Sequence, residues 1–189
     1  MARTVRGLLF DLDGTLVDTA GASHGAYAAA LAEAGIVVEP HTLAAACAAG
    51  RHWSEFLPGL IESAGGAVEP AAVARRKGEL YRKTLGETRV NAPLVALVAS
   101  SRPHLRTALV TTASAESVHA LLRVHDLGSL FDAIVTGDDV RHRKPHPEAY
   151  RLAVSRLALT PEECLAFEDS DVGVASATRA GLAVIRVLL

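Results

Sequence analysis

Short apolar runs recur along the chain, and each stops abruptly at polar residues. The first spans residues 5–10 and ends at Asp11-Leu12-Asp13-Gly14-Thr15. A run of that length closed by a glycine turn reads as a buried strand. Four more follow: 107–112; 133–136, closed by Gly137-Asp138-Asp139; 164–167, closed by Glu168-Asp169-Ser170; and 183–187. Helical signals fall between them. Ser114 is placed to cap a helix through His125, and Pro147 sits at the start of one running to about Leu157. Thr160-Pro161-Glu162-Glu163 carries the elements of a capping box, and Gly181 fits the stop of a helix that opens near Ser170. Strands alternating with helices predict an α/β fold, a parallel sheet covered on both faces.

The stretch 17–85 breaks this rhythm. It is rich in Ala, Leu and Glu, shows no strand pattern, and is interrupted at Gly35, Pro40, Pro58, Gly65-Gly66 and Pro70. It reads as several short helices inserted after the first strand, a helical cap (17–85) on an α/β core made of 1–16 and 86–189.

Composition narrows the classes. Half of the 189 residues are apolar and 21% are charged, enough to bury a core. A formal net charge of −2 gives no general attraction to nucleic acid or anionic membrane, and neither partner is expected. Mean hydropathy is +0.25 and no run of 18 apolar residues occurs. The start lacks a signal-peptide core, and Cys47 and Cys164 lie far apart without metal-type spacing, so a reduced, cytoplasmic setting is expected.

In an open parallel sheet, ligands bind beyond the carboxyl ends of the strands. Asp11 and Asp13, Thr111 and Thr112, Asp138 and Asp139, and Glu168 and Asp169 fall at those ends. Acids directly after apolar strands are costly unless solvated, paired or metal-bound. Several on one edge suggest a hard divalent cation with oxygen ligands, Mg²⁺ being the common choice. A calcium loop at Asp11 is disfavoured, because the glycine falls at its fourth position and a strand precedes it.

The motif Asp11-Leu12-Asp13-Gly14-Thr15-Leu16-Val17-Asp18 resembles the first motif of the haloacid dehalogenase superfamily. Three further motifs follow in the family's order: Thr111, with Thr112 next to it; Lys144 in Lys144-Pro145-His146-Pro147; and Glu168-Asp169-Ser170, continuing through Gly173 to Ala180-Gly181. The resemblance implies a Rossmann-like core with a helical cap. It implies that Asp11 is the nucleophile forming an aspartyl-phosphate, and that Asp13 is the general acid and base. It further implies Mg²⁺ held by Asp11, the Asp13 backbone carbonyl, Glu168 and Asp169. Lys144 would offset charge, and Thr111 would bond the transferring oxygens. Asp13 favours phosphate-ester chemistry, since the superfamily's dehalogenases lack an acid there.

The implied activity is Mg²⁺-dependent hydrolysis of a small phosphorylated metabolite such as a sugar phosphate. The alternatives are a sugar-phosphate mutase of the beta-phosphoglucomutase-like subgroup and a non-catalytic binding protein. The mutase subgroup's cap lysine resembles Lys77, a candidate substrate contact together with Thr112. Its cap histidine does not match, because Ser23 stands there and His24 comes one position late. Its cap arginine is also displaced, with Arg51 directly after Gly50 and Trp53 at the subgroup's position. His142 and His146 are four apart, but Pro145 would break a helix aligning them, which argues against zinc. Asp18 is expected to position the cap hinge or to cap its first helix, and Trp53 and Phe56 are expected in the cap's core. A monomer is expected, with an apolar end at Leu188 and Leu189 that a dimer could cover.

Overall fold

The computed structural model describes residues 4–48 and 52–189, so Gly50 and Arg51 lie outside the described residues. The strands are β1 (Gly7–Phe10), β2 (Val17–Asp18), β3 (Arg89–Val90), β4 (Arg106–Val110), β5 (Ala133–Val135), β6 (Cys164–Glu168) and β7 (Ala183–Arg186). The α-helices are α1 (Ala20–Glu33), α2 (Pro40–Ala48), α3 (Trp53–Ser63), α4 (Pro70–Lys83), α5 (Ala92–Ser101), α6 (Ala115–Val124), α7 (Glu148–Arg156) and α8 (Asp171–Arg179). Two compact units result: Met1–Asp18 with Arg89–Leu189, and Thr19–Thr88.

The first unit is an α/β fold around a five-stranded parallel sheet of order β5-β4-β1-β6-β7. From β1 the chain builds outward through β4 and β5, then crosses back to lay β6 and β7 on the other side. The order therefore reverses at β1, and the carboxyl end of β1 is where an open sheet makes its crevice. All four residues of β1 are buried, as expected of a central strand covered on both faces. Leu9, Ala108, Val110, Ala166, Tyr150, Ala153 and Ala177 share the core between sheet and helices. Fully burying a leucine such as Leu9 or Leu109 contributes about 1.5–3 kcal/mol. On the register row Leu109–Phe10–Phe167, the two phenylalanine rings stack 4.7 Å apart. Edge strand β7 is largely exposed, as are Leu188 and Leu189.

Local signals account for most of these boundaries. The Ser170 hydroxyl caps α8 by accepting from Gly173 N–H, and Gly181 ends that stretch at φ +90°. Glu163 accepts from Thr160 N–H at 2.9 Å, half of the capping box. Ser114 stands at the N-cap of α6, but its hydroxyl pairs with Ser117 Oγ at 3.2 Å. The Ala115 N–H is served by Asp138 Oδ2 at 2.8 Å. Helix α5 was not anticipated; Asn91 caps it by accepting from Leu94 N–H at 3.3 Å.

The second unit contains α1 to α4 and a 3₁₀ turn at Leu85–Glu87. Its core gathers Tyr27, Leu31, Phe56, Leu57, Leu60, Ile61 and Val73, with Trp53 packed at its margin. Tyr27 and Phe56 meet edge to face at 5.5 Å. Two expectations need correction. Pro58 does not break the chain: it lies exposed within α3, which continues because Phe56, Leu57, Leu60 and Ile61 bury on its other face. Val17 and Asp18 are not helical but form an antiparallel ribbon with Arg89 and Val90, and Thr19 rather than Asp18 occupies the N-cap of α1.

Candidate active site

Asp11 is the first residue past β1, and its N–H still bonds Phe167 O at 3.0 Å, so the ladder with β6 carries on to it. That fixes the backbone at the switch point and leaves the carboxyl group buried there. Lys144 reaches the same place from the loop before α7. Its Nζ lies 2.6 Å from Asp11 Oδ1, 2.6 Å from Glu168 Oε1 and 2.8 Å from Val110 O. All three donors of the ammonium are used, with its side chain only 3% exposed.

Glu168 ends β6 and is fully buried. Its Oε1 also accepts from the Tyr150 hydroxyl at 2.6 Å, whereas its Oε2 has no hydrogen-bond partner. The space it occupies exists because residue 173 is a glycine: a Cβ there would come within 2.0 Å of Glu168 Oε2. Asp169 follows, half-buried, and accepts from Thr15 Oγ at 3.4 Å. Gly14 is required opposite it, with φ +81° and a notional Cβ only 2.3 Å from Asp169 Oδ2. The Thr111 hydroxyl is buried, accepts from Ala113 N–H at 3.1 Å and stands 3.5 Å from Asp13 Oδ2. Thr112 is next along the chain and half-buried.

Burial pushes the Asp11 carboxyl well above the ordinary range, Lys144 pulls it back, and Glu168, Asp169 and Asp13 push it up again. Burial alone would depress Lys144, but Asp11 and Glu168 outweigh it and keep the ammonium charged. Asp169 is raised by burial and by Glu168. Tyr150 is raised well above its usual value, first by burial and then by Glu168, so it stays a donor.

One ligand oxygen from each of Asp11, Glu168 and Asp169 lies within 4.8 Å of the others. Three carboxylates against one ammonium leave two formal negative charges. The donors are all hard oxygens and one buried carboxylate oxygen lacks a partner, so the residues fit a hard divalent cation.

Within the first unit, Asp138 and Asp139 are not gathered here. Asp138 caps α6, and Asp139 closes its own turn, accepting from Thr136 N–H at 2.8 Å and Thr136 Oγ at 2.7 Å. Arg156 pairs with Asp139 at 2.6 Å. Lys77 belongs to the other unit, where its ammonium lies over the rings of Tyr81 at 4.4 Å and Tyr27 at 4.8 Å. His142 and His146 do meet, with ring centroids 4.6 Å apart, because a loop rather than a helix brings them together. Tyr150 is a site residue that sequence reasoning missed, and Gly173 stood in the fourth motif without a role of its own. The available signal for Tyr150 was a hydroxyl on the buried face of a helix, which needs a partner.

The family model of the haloacid dehalogenase-like hydrolases matches residues 5–181. The chain is 32% identical over 183 residues to the fructose-1-phosphate phosphatase YqaB of Escherichia coli K12, covering 97% of this chain and 96% of that one. It is 32% identical over 181 residues to a phosphorylated carbohydrates phosphatase of Thermotoga maritima, covering 94% and 82%. CbbY from Rhodobacter sphaeroides, solved in complex with xylulose-(1,5)bisphosphate, superposes with a TM-score of 0.88 at 28% identity, over 98% of this chain and 87% of that one. The motifs, the switch-point site and these matches agree, and the chain belongs to the haloacid dehalogenase-like hydrolase family.

Proposed function

We propose that this protein is a Mg²⁺-dependent phosphatase acting on a small phosphorylated carbohydrate, with Asp11 as nucleophile. The observation that carries the reading is the convergence of Asp11, Glu168 and Asp169 around a space faced by Lys144. The names of the two phosphatase relatives support the substrate class.

In this reading the Asp11 carboxylate attacks phosphorus, the P–O bond to the sugar breaks, and Asp13 donates a proton to the departing oxygen. Asp13 then takes a proton from water, which attacks the aspartyl-phosphate and returns Asp11 free with inorganic phosphate. Lys144 holds Asp11 Oδ1 at 2.6 Å, which fixes the nucleophile's orientation and offsets the charge of the incoming phosphate. Thr111 bonds the transferring oxygens, and Thr112 and Lys77 contact the rest of the substrate. Asp11, Glu168, Asp169 and the Asp13 carbonyl would hold Mg²⁺, which neutralises phosphate charge so that an anionic nucleophile can approach. Such a protein acts as a cytoplasmic monomer; Cys47 and Cys164 are both free thiols, and among the described residues no helix is long and apolar enough to cross a membrane.

A panel of sugar phosphates and p-nitrophenyl phosphate, assayed with and without Mg²⁺, tests this. Release of phosphate should require Mg²⁺ and fall by at least a thousandfold in Asp11→Asn. Transfer within a bisphosphate intermediate outpacing release would favour the mutase alternative. Full activity in Asp11→Asn would reject the nucleophile.

A further inference from the structure

We propose that His142, His146 and Glu148 form a second cation site, distinct from the acidic one and suited to a borderline transition ion such as Zn²⁺. Nδ1 or Nε2 of each imidazole and a carboxylate oxygen of Glu148 fall within 4.8 Å of one another. The His142 Nδ1 to Glu148 Oε2 distance is 2.9 Å, and the His146 Nδ1 to Glu148 Oε2 distance is 3.8 Å. Ligands about 2.05 Å from a tetrahedral zinc stand roughly 3.3 Å apart, so these separations straddle what the ion needs.

The ligands are also preset. Glu148 accepts from Arg141 N–H at 2.9 Å and from His142 N–H at 3.0 Å, which anchors the carboxylate without relying on side-chain contacts. His146 Nδ1 accepts from Glu148 N–H at 3.3 Å, a long bond that orients the ring and that an ion at Nδ1 would displace. An entering ion takes the place of the proton that His142 Nδ1 shares with Glu148, and that proton goes to solvent. The positive end of α7 opposes a cation, but the full charge of Glu148 exceeds the half charge of a helix terminus. Both imidazoles are exposed, leaving water to complete the coordination sphere. Two imidazoles among three ligands favour zinc-like ions over Mg²⁺. The histidines stand two residues before and two after Lys144, so an ion held here pins both sides of the loop that carries it.

Zn²⁺ titrated calorimetrically into the full chain, with Mg²⁺ in millimolar excess to fill the acidic site, should bind at one equivalent. His142→Ala and His146→Ala should each weaken that binding at least tenfold, and the double variant should abolish it while keeping the wild-type circular dichroism spectrum. Unaltered binding in the double variant, or no binding to the wild type, would overturn the site. Paramagnetic Co²⁺ offers a test without substitutions: it should broaden the His142 and His146 imidazole resonances before those of the other histidines, and the reverse order would also overturn it.

Discussion

The Tyr150 hydroxyl donates to Glu168 Oε1 at 2.6 Å, and neither side chain is exposed. The same oxygen receives Lys144, so one carboxylate oxygen is held from two directions and the other points away without a partner. Tyr150 thus acts on the site through Glu168, as a positioning residue on the helix beneath it.

Replacing it tests that role. A hydrogen bond to a charged group is worth about 1.5–3 kcal/mol, so Tyr150→Phe should lower stability by roughly that amount in denaturant unfolding. It should also raise the Mg²⁺ concentration for half-maximal activity several-fold, with a smaller change in kcat at saturating Mg²⁺. A stability loss with unchanged Mg²⁺ dependence would leave Tyr150 as packing only.

Two glycines set the room for the carboxylates. A methyl group at 173 would sit 2.0–2.3 Å from the carboxylate of Glu168, which is fully buried and can move away only by giving up its bonds to Lys144 and Tyr150. Overpacking typically costs about 1–3 kcal/mol, occasionally more. Gly173→Ala should therefore lower the Tm by several degrees and displace Glu168 from Lys144. Gly14→Ala combines a clash with Asp169 Oδ2 and φ +81°, and should weaken Mg²⁺ binding at least as strongly. Wild-type melting and metal dependence in both variants would refute this account of the cavity.

The parts visible in the sequence were those marked by abrupt changes of polarity. Asp11, Glu168 and Asp169 follow apolar strands, and the parallel register then brings them together, because Phe10 and Phe167 lie side by side. Asp138 and Asp139 follow a strand in the same way, yet they cap α6 and close a turn. The pattern cannot separate these cases, since turn chemistry and ligand chemistry use the same residue. What Tyr150 and Gly173 do at the site was invisible for another reason. One is a helix residue on an apolar face and the other a small residue in a first turn, and only the packing of α7 and α8 against the sheet shows what each touches. The ribbon of β2 and β3 was missed because two residues per strand give no alternation to read.

The carboxyl groups predict a pH dependence. Asp11 and Asp169 both have folded pKa values above the ordinary carboxylate range. Between the unfolded value near 3.9 and the raised folded value, the native state binds more protons, so metal-free stability falls as pH rises. A bound cation favours the ionised forms and expels those protons. Mg²⁺ binding should therefore release protons, its apparent affinity should climb with pH across that window, and the Mg²⁺-induced rise in Tm should be larger at pH 7 than at pH 5. Calorimetry in two buffers of different ionisation enthalpy reads the release directly; identical heats at pH 5 would contradict it.

Lys144 carries the sharpest test of how charge is balanced at the switch point. Its ammonium touches Asp11 and Glu168 at once, and removing one member of a buried charged cluster leaves the others uncompensated, at a cost of about 3–5 kcal/mol. Lys144→Met keeps the length and apolar stem of the side chain, so its effect isolates the charge. The metal-free variant should be destabilised by about that amount, because the Asp11 and Glu168 carboxyl groups lose the cation they share. Mg²⁺ should recover part of the stability, because a divalent cation can neutralise the same pair, yet activity should stay at least a hundredfold down, because Asp11 Oδ1 has lost the donor that orients it. If Mg²⁺ restored both stability and turnover, Lys144 would be a counterion that the metal can replace. If it restored neither, the acidic cluster would not be the metal site.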